Sequence, residues 1–154
     1  MNNNKPKLMH IISEYCRPSI AIGAAIVPSV GLCAPSGGAV VSGGIDIQQD
    51  GLTTNIFQST QSAIINWDSF NIGANETVNF IQPSSTSVAL NRVISSNPTT
   101  ILGNLNANGV VILVNPRGIL FTKSATLDVA GLVATTLDIG DQDFLNGQMQ
   151  FTRQ

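Results

Sequence analysis

The chain has 154 residues, of which 43% are hydrophobic and only 10% charged, and its formal net charge is −2. This length suffices for one domain with a hydrophobic core, and the composition is not that of a disordered chain. The acidic balance argues against nucleic acid as a partner.

Residues 1–34 are predicted to be a secretory signal peptide. An apolar stretch at 20–34 follows three basic residues, Lys5, Lys7 and Arg17. The stretch is shorter than the roughly 20 residues that span a bilayer, although a non-cleaved anchor is the alternative. Cleavage is expected after Ala34, or alternatively after Ala39, where Gly37 is a small residue at the matching position. Cys33 lacks the small preceding residue of a lipoprotein signal.

All His and Cys residues lie in this leader, at His10, Cys16 and Cys33. Residues 35–154 therefore contain four cationic side chains against eight carboxylates, a net charge of −4, and neither imidazole nor thiol. These absences argue against a Ser-His-Asp triad, a Cys nucleophile and the usual zinc ligand sets. We expect no catalytic residues, no cofactor, no metal and no disulfide framework in this part of the chain.

From Val40 onward, short apolar runs alternate with Gly, Asn, Pro, Ser and Thr. Glu and Lys are scarce while Thr, Val and Ile abound, which favours strands over helices. We predict an all-β fold with strands at 45–47, 53–57, 63–67, 77–81, 87–93, 100–105, 110–114, 118–121, 125–129, 132–136 and 146–152.

The most informative stretch is Asn115, Pro116, Arg117, Gly118 and Ile119, which separates two apolar runs. Asn can bond its own backbone, Pro fixes φ and Gly tolerates positive φ, so the stretch predicts a tight corner between strands. The preceding run, 110–114, is apolar at five successive positions. It favours a strand covered on both faces, as in a parallel sheet or closed solenoid, although periodicity alone leaves a buried helix segment open.

The spacing of the runs fits a β-sandwich as well as a solenoid. Two features favour a parallel β-helix. Small polar corners such as Ala107-Asn108-Gly109 replace hairpin turns, and residues 126–129 and 136–139 echo each other like a degenerate repeat. Stacked Asn or Thr side chains would then form ladders at the corners. The chain ends in a strand-like stretch, so the solenoid is expected to be incomplete at its carboxyl end.

Four sequence motifs, at 62–72, 90–93, 101–103 and 108–119, occur in one order. With them, residues 38–151 resemble the amino-terminal secretion domain of two-partner-secretion exoproteins, the filamentous-haemagglutinin or haemagglutination-activity domain, closest to the high-molecular-weight adhesin branch. The resemblance implies a right-handed parallel β-helix with an amino-terminal cap, which we place around residues 43–67. It also covers nearly all of residues 35–154, so these form one domain.

The resemblance further implies that the periplasmic domains of a partner outer-membrane β-barrel transporter recognise the chain, which then folds outside a Gram-negative cell. The product would be secreted or held at the cell surface. Its parent would be an adhesin or haemagglutinin that binds a host or cell-surface receptor through downstream repeats. It would not be an enzyme.

Asn115, Pro116, Gly118 and Ile119 match the family motif Asn-Pro-Asn-Gly-Ile, which is implicated in secretion. Arg117 replaces the usual Asn, and a cation there could face an acidic patch on the partner. The alternative is a purely structural turn. A second family motif, Asn-Pro-Asn-Leu, has no counterpart, since the most similar sequence, at 97–100, does not match it.

Three further features have conservative interpretations. Trp67 is the only tryptophan and is expected in the core, where its indole N–H needs a buried acceptor. Asp138, Asp141 and Asp143, with Asp128 nearby, suggest a calcium site, but their spacing fits no known loop and favours a solvated segment. The glycosylation sequon at Asn75 is expected to be fortuitous.

Other functions remain open. A polysaccharide-active β-helix enzyme would need carboxylates clustered with Arg or Lys on one face, whereas the Asp cluster lies far from Arg92 and Arg117 in sequence. The chain could also be the amino-terminal part of a contact-dependent toxin, or a non-functional gene remnant.

Overall fold

The computed structural model describes residues 33–153 as a β-solenoid of about four turns, which confirms the all-β prediction. Most of the predicted signal peptide lies outside these residues. None of the helices within 33–153 is long and apolar enough to span a membrane. In this range the elements are β1 (Ala39–Ser42), β2 (Ile45–Asp50), β3 (Thr53–Gln58), β4 (Ser62–Trp67), β5 (Thr77–Ile81), β6 (Val88–Val93), β7 (Thr99–Ile101), β8 (Asn104–Val114), β9 (Ile119–Phe121), β10 (Thr126–Thr135) and α1 (Asp141–Leu145).

The coils stack through parallel strand pairs arranged in three columns. The first column joins β3, β5, β8 and β10, with Thr53, Thr77, Asn104 and Thr126 in register. The second joins β4, β6 and the later parts of β8 and β10, and the third joins β7 to β9. Successive coils therefore advance by 24, 27 and 22 residues. The two similar segments at 126–129 and 136–139 are ten residues apart, which is not the length of a coil. Their interpretation as a degenerate repeat is therefore wrong.

Strand limits differ from the prediction where one strand crosses two columns. β8 pairs with β5 through residues 104–107 and with β6 through residues 110–114. The predicted corner at Asn108 and Gly109 is a bend inside this strand. A side chain at Gly109 would lie within 2.7 Å of the Ser87 oxygen, so the bend requires glycine. Likewise β10 joins two predicted strands, and the predicted strand at 100–105 divides between β7 and β8.

The amino-terminal cap is formed by β1 and β2. β1 pairs antiparallel with β4, and β2 pairs antiparallel with β3, whereas β3 and β4 pair parallel with the next coil. β3 and β4 therefore belong to the first coil, and the predicted cap at 43–67 is wrong at both ends. The cap also includes Ser36, whose N–H donates to the Ser69 oxygen at 2.9 Å, next to the buried Pro35. Antiparallel pairing covers the strand edges that an open first coil would expose.

The second column is buried on both faces. Inward-facing residues such as Trp67 and Leu113 belong to the main core. On the outer face, Ile64, Leu90 and Ile112 align in register and pack with Phe144 and other residues of the carboxyl-terminal segment. This double cover explains why residues 110–114 show no alternation, and it confirms the prediction of a strand buried on both faces.

The carboxyl-terminal segment does not form the predicted strand at 146–152. It contains the short helix α1, which begins after Gly140. Asp141 and Asp143 lie in its first turn, where their negative charges interact favourably with the positive end of the helix dipole. Gly147 then turns the chain at φ +75°, and a single bridge joins Asp138 to Thr152. The segment lies over an aliphatic face, so burial of Phe144 replaces pairing with a neighbouring strand.

Amide side chains are stacked between coils on the outer face of the first column. Asn79 donates to Asn55 at 2.8 Å, and Asn106 donates to Asn79 at 2.9 Å. The predicted ladder therefore exists, but it lies in the middle of β3, β5 and β8. At the corner that follows, Gln82 donates to Gln58 at 3.1 Å. The coils are held in register by side-chain hydrogen bonds as well as by the backbone.

Candidate functional site

Asn115 is completely buried and connects three coils. Its side-chain amide donates to the main-chain oxygen of Asn97 at 3.0 Å and to the hydroxyl of Thr99 at 2.9 Å. Its main-chain N–H donates to the oxygen of Thr135 in the next coil at 3.0 Å. A side chain with these contacts cannot touch a partner of the folded domain. Its role is to hold the corner.

The rest of the corner is shaped by backbone hydrogen bonds. Oδ1 of Asn115 accepts the N–H of Arg117 at 2.9 Å, and the main-chain oxygen of Asn115 accepts the N–H of Gly118 at 3.0 Å. Gly118 has a φ of +107°, a conformation that other residues rarely adopt, and its oxygen accepts the N–H of Thr99 at 3.0 Å. Asn and Gly therefore serve the geometry that the sequence predicted.

The five predicted site residues divide by exposure. Pro116 and Arg117 are exposed at the tip of the corner, whereas Gly118 and Ile119 are half-buried. Ile119 begins β9 and pairs with Thr99. The corner thus presents Pro116 and Arg117 to solvent on a support made by Asn115.

An open cleft of about 340 Å³ adjoins the tip. Pro116 lines it together with Thr136, Leu137, Asp138 and Arg153. Sequence reasoning missed Arg153 and Thr136 as neighbours of the corner. No local motif could reveal them, because the carboxyl-terminal segment reaches the corner only by folding back along the solenoid.

Arg92 holds that segment in place. Its Nε donates to Asp138 at 2.8 Å, and one terminal nitrogen donates to Asp141 at 2.9 Å and to the oxygen of Ile139 at 2.7 Å. The other terminal nitrogen donates to Asn66 at 3.2 Å. Burial disfavours the charged guanidinium, but its hydrogen bonds and charge interactions with Asp138 and Asp141 raise the pKa of Arg92.

This cluster corrects two expectations about the aspartates. The aspartates were expected to lie apart from Arg92 because they are distant from it in sequence. The fold instead brings Arg92 into direct contact with Asp138 and Asp141. Asp138 is only 8% exposed, so the prediction of a solvated loop is wrong for it. Across residues 33–153, no group of three or more acidic, His or Cys side chains is placed to hold a metal ion.

Trp67 lies in the core as predicted, with 1% of its surface exposed. Its ring packs edge-on against Phe70 with centroids 5.4 Å apart, and its N–H donates to Oδ1 of the buried Asn91 at 3.0 Å. The predicted buried acceptor is therefore Asn91. Trp67 is a structural residue and forms no ligand platform on the surface.

Comparison with known proteins agrees with this architecture. Residues 33–154 match the family described as the TPS secretion domain. Two heme/hemopexin-binding proteins of Haemophilus influenzae are 46% identical to this chain, over 105 and 99 residues. The matches cover 68% and 64% of this chain but only 12% and 11% of those proteins.

A solved structure is similar as well. The crystal structure of the HMW1 secretion domain from Haemophilus influenzae matches with a TM-score of 0.75 and 39% sequence identity. The match covers 79% of this chain and 32% of that one. Fold and sequence thus define a β-solenoid secretion module. The chain belongs to the family of TPS secretion domains, the amino-terminal domains of two-partner-secretion exoproteins.

Proposed function

We propose that this chain directs a two-partner-secretion exoprotein through the outer membrane, and that the partner β-barrel transporter recognises the tip formed by Pro116 and Arg117. Membership of the TPS secretion domain family supports the first part. The second part depends on one observation: the turn that exposes Pro116 and Arg117 is closed by Asn115 itself, whose Oδ1 accepts the N–H of Arg117 at 2.9 Å. A turn set by contacts between adjacent residues can form, and be recognised, before the coils pack.

Export is compatible with how the domain is held together. Residues 35–154 contain no cysteine, so no disulfide within them would lock a fold before passage through the transporter. Each coil buries its aliphatic residues on the coil before it, and the cap supplies the first surface. Folding outside the cell, coil upon coil, would make return into the pore unfavourable and so bias transport outward.

We place a signal peptide at residues 1–34, with the folded domain at 35–154 secreted or held at the cell surface. Of the two predicted cleavage points, the contacts favour the one after Ala34. Cleavage after Ala39 would remove the buried Pro35 and also Ser36, whose oxygen accepts the N–H groups of Asp68 and Ser69 at 3.0 and 3.3 Å.

For the parent protein we infer an exported binding protein whose ligand site lies outside this domain. The names of the two relatives favour heme or hemopexin as the ligand over the adhesive target expected from the sequence. An enzymatic role is less well supported. Arg92 is the cation that lies next to Asp138 and Asp141, and it forms salt bridges with both, so these charged groups bind each other rather than a substrate.

Secretion assays with charge-reversal variants test the tip. Arg117→Glu should reduce secretion through the co-expressed transporter by at least about ten-fold, because like-charge contacts in an interface cost several kcal/mol. Lys123→Glu is the matched control, since Lys123 is an exposed cation on another loop. Normal secretion of Arg117→Glu would refute recognition at this corner.

A further inference from the structure

We propose that the exported, folded domain binds a neutral oligosaccharide in an open groove on the outer face of the first column. The groove has a volume of about 530 Å³, and its lining includes Asn55, Asn79, Asn106, Ile81 and Asp128. This site is additional to the ligand site that the parent protein carries elsewhere. It takes no part in recognition by the transporter, because it forms only when the coils stack.

The amide ladder in the groove leaves hydrogen-bonding groups at both ends. Asn106 donates to Asn79, and Asn79 donates to Asn55, so Oδ1 of Asn106 turns toward the next coil. The residue in register there is Asp128, whose carboxylate only accepts. Within residues 33–153, no hydrogen bond reaches Oδ1 of Asn106 or the Asp128 carboxylate, and none leaves the Asn55 amide. Hydroxyl groups, which both donate and accept, complement these ends.

An apolar strip lies beside the ladder. Phe57 and Ile81 each follow a ladder asparagine by two residues, so they lie on the same face of the sheet, and they pair in register. They are 39% and 41% exposed, and Phe57 is the only aromatic residue among the exposed large hydrophobic residues of 33–153. A sugar ring has an apolar face and a hydroxyl edge, so it can cover the Phe57 ring while its hydroxyls meet the amides. Strands about 4.8 Å apart match the length of one sugar unit.

The charges and backbone pairing of the groove argue against other occupants. Among residues 33–153 no Lys or Arg lines it, and Asp128 is exposed, so nucleic acid or a sulfated glycan would be repelled. Here β3, β5 and β8 each pair with a strand on both sides, so the sheet offers no free edge to a peptide strand. Asn106 and Asp128 alone supply too few oxygen ligands for a calcium ion. A neutral, hydroxyl-rich ligand fits these conditions.

A glycan array, followed by titration calorimetry, tests the proposal on the exported protein purified in its folded form. The array carries neutral oligosaccharides of glucose, galactose and mannose beside sulfated and sialylated ones. We expect binding to at least one neutral series, with a Kd that Phe57→Ala raises about ten-fold or more and Phe57→Tyr leaves nearly unchanged, because the ring supplies the apolar contact. Leu145→Ala is the matched control, since Leu145 is 40% exposed on the carboxyl-terminal segment.

Asp128→Asn separates binding from stability. The new amide can donate to Oδ1 of Asn106 and so adds a further step to the ladder. The midpoint of urea unfolding should therefore be preserved or raised, while glycan binding weakens about ten-fold, because acceptors that the glycan uses are now occupied. A merely structural role for Asp128 would leave glycan binding unchanged.

Several outcomes would overturn the proposal. Failure of every neutral glycan to bind is one, and preference for sulfated or sialylated glycans is another. Full affinity in both Phe57→Ala and Asp128→Asn would place any bound glycan elsewhere on the protein. Binding of Ca²⁺ alone, measured with CaCl₂ and lost in Asp128→Asn, without glycan binding, would show a cation site instead. All these variants should be secreted normally, so the result is independent of recognition at the tip.

Discussion

The indole N–H of Trp67, in the first coil, donates to Oδ1 of Asn91, in the second, across 3.0 Å. Asn91 is completely buried and donates in turn to the oxygens of Ala89 at 3.2 Å and of Ile112, in the third coil, at 3.4 Å. One amide thus satisfies polar groups of three successive coils inside an otherwise apolar core. Buried polar groups of this kind are costly when left unpaired.

We therefore expect Asn91→Ala to lower the free energy of unfolding by about 1–3 kcal/mol, because the indole N–H and the Ile112 oxygen lose their partner. Urea unfolding followed by the fluorescence of the single tryptophan measures this loss. The matched control is Asn106→Ala, which removes a half-buried amide of the outer ladder that water can replace. Equal losses in the two variants would contradict the role assigned to Asn91.

Arg92→Met should destabilise the domain by about 2–4 kcal/mol, because it removes the hydrogen bonds that the half-buried guanidinium donates to Asp138, Asp141 and the Ile139 oxygen. Asp141→Asn should cost far less, since the Asp141 side chain is 41% exposed and solvent screens its charge. Urea unfolding measures both, and hydrogen exchange should show the greatest loss of protection in residues 138–152. Unchanged protection in these residues would contradict the conclusion that Arg92 holds the carboxyl-terminal segment in place.

The pH dependence of this contribution follows from the pKa of Arg92, which is raised in the folded protein. A raised pKa stabilises the fold fully below the unfolded-state pKa, and the contribution is lost only as pH rises through the folded value. Since an arginine titrates far above neutrality, the cost of Arg92→Met should be the same at about pH 6 and about pH 9. A cost that vanished by about pH 9 would contradict this assignment.

Asn115→Ala should lower the free energy of unfolding by about 1–3 kcal/mol, because the buried hydroxyl of Thr99 and the oxygen of Asn97 lose a donor. Arg117→Ala, at the exposed tip, should change it by no more than about 0.5 kcal/mol. Thermal or urea unfolding compares the two. A secretion defect in Asn115→Ala would therefore reflect folding as much as recognition, whereas a defect in Arg117→Ala would not.

A chain that begins at Val40 should be less stable than one that begins at Pro35, by about 1–3 kcal/mol. It lacks the burial of Pro35 and the hydrogen bonds of Ser36, so the backbone groups of Asp68 and Ser69 lose their partners. Urea unfolding of the two purified chains measures the difference. Equal stability would remove the argument for cleavage after Ala34.

The corner at Asn115 shows how far a local pattern extends. Its strand-turn-strand geometry follows from residues adjacent in sequence. Oδ1 of Asn115 accepts the main-chain N–H of Arg117, and Gly118 adopts a positive φ. The partners of the Asn115 side chain, Asn97 and Thr99, come from the previous coil and depend on coil length. A predicted corner is therefore no guide to whether its residues are buried or exposed.

The carboxyl-terminal segment was mispredicted for a related reason. Residues 146–152 alternate enough to resemble a strand, but a strand needs a neighbour with free ladder groups. The outer aliphatic face around Ile112 and the cation of Arg92 offered a competing set of contacts. Burial of Phe144 and the salt bridge to Asp138 therefore decided the course of the chain there.

Local chemistry written in the chain was enough to establish the class of fold, the positions of most strands, the tight turn after Val114 and the burial of Trp67, because each depends on neighbouring residues or on hydrophobic content. Only the folded coils decided that Arg92 meets Asp138 and that Arg153 stands beside Pro116. The reason is geometric. The coils differ in length, and the lengths of all preceding coils together determine which distant side chains become neighbours, so no single stretch of sequence specifies these contacts.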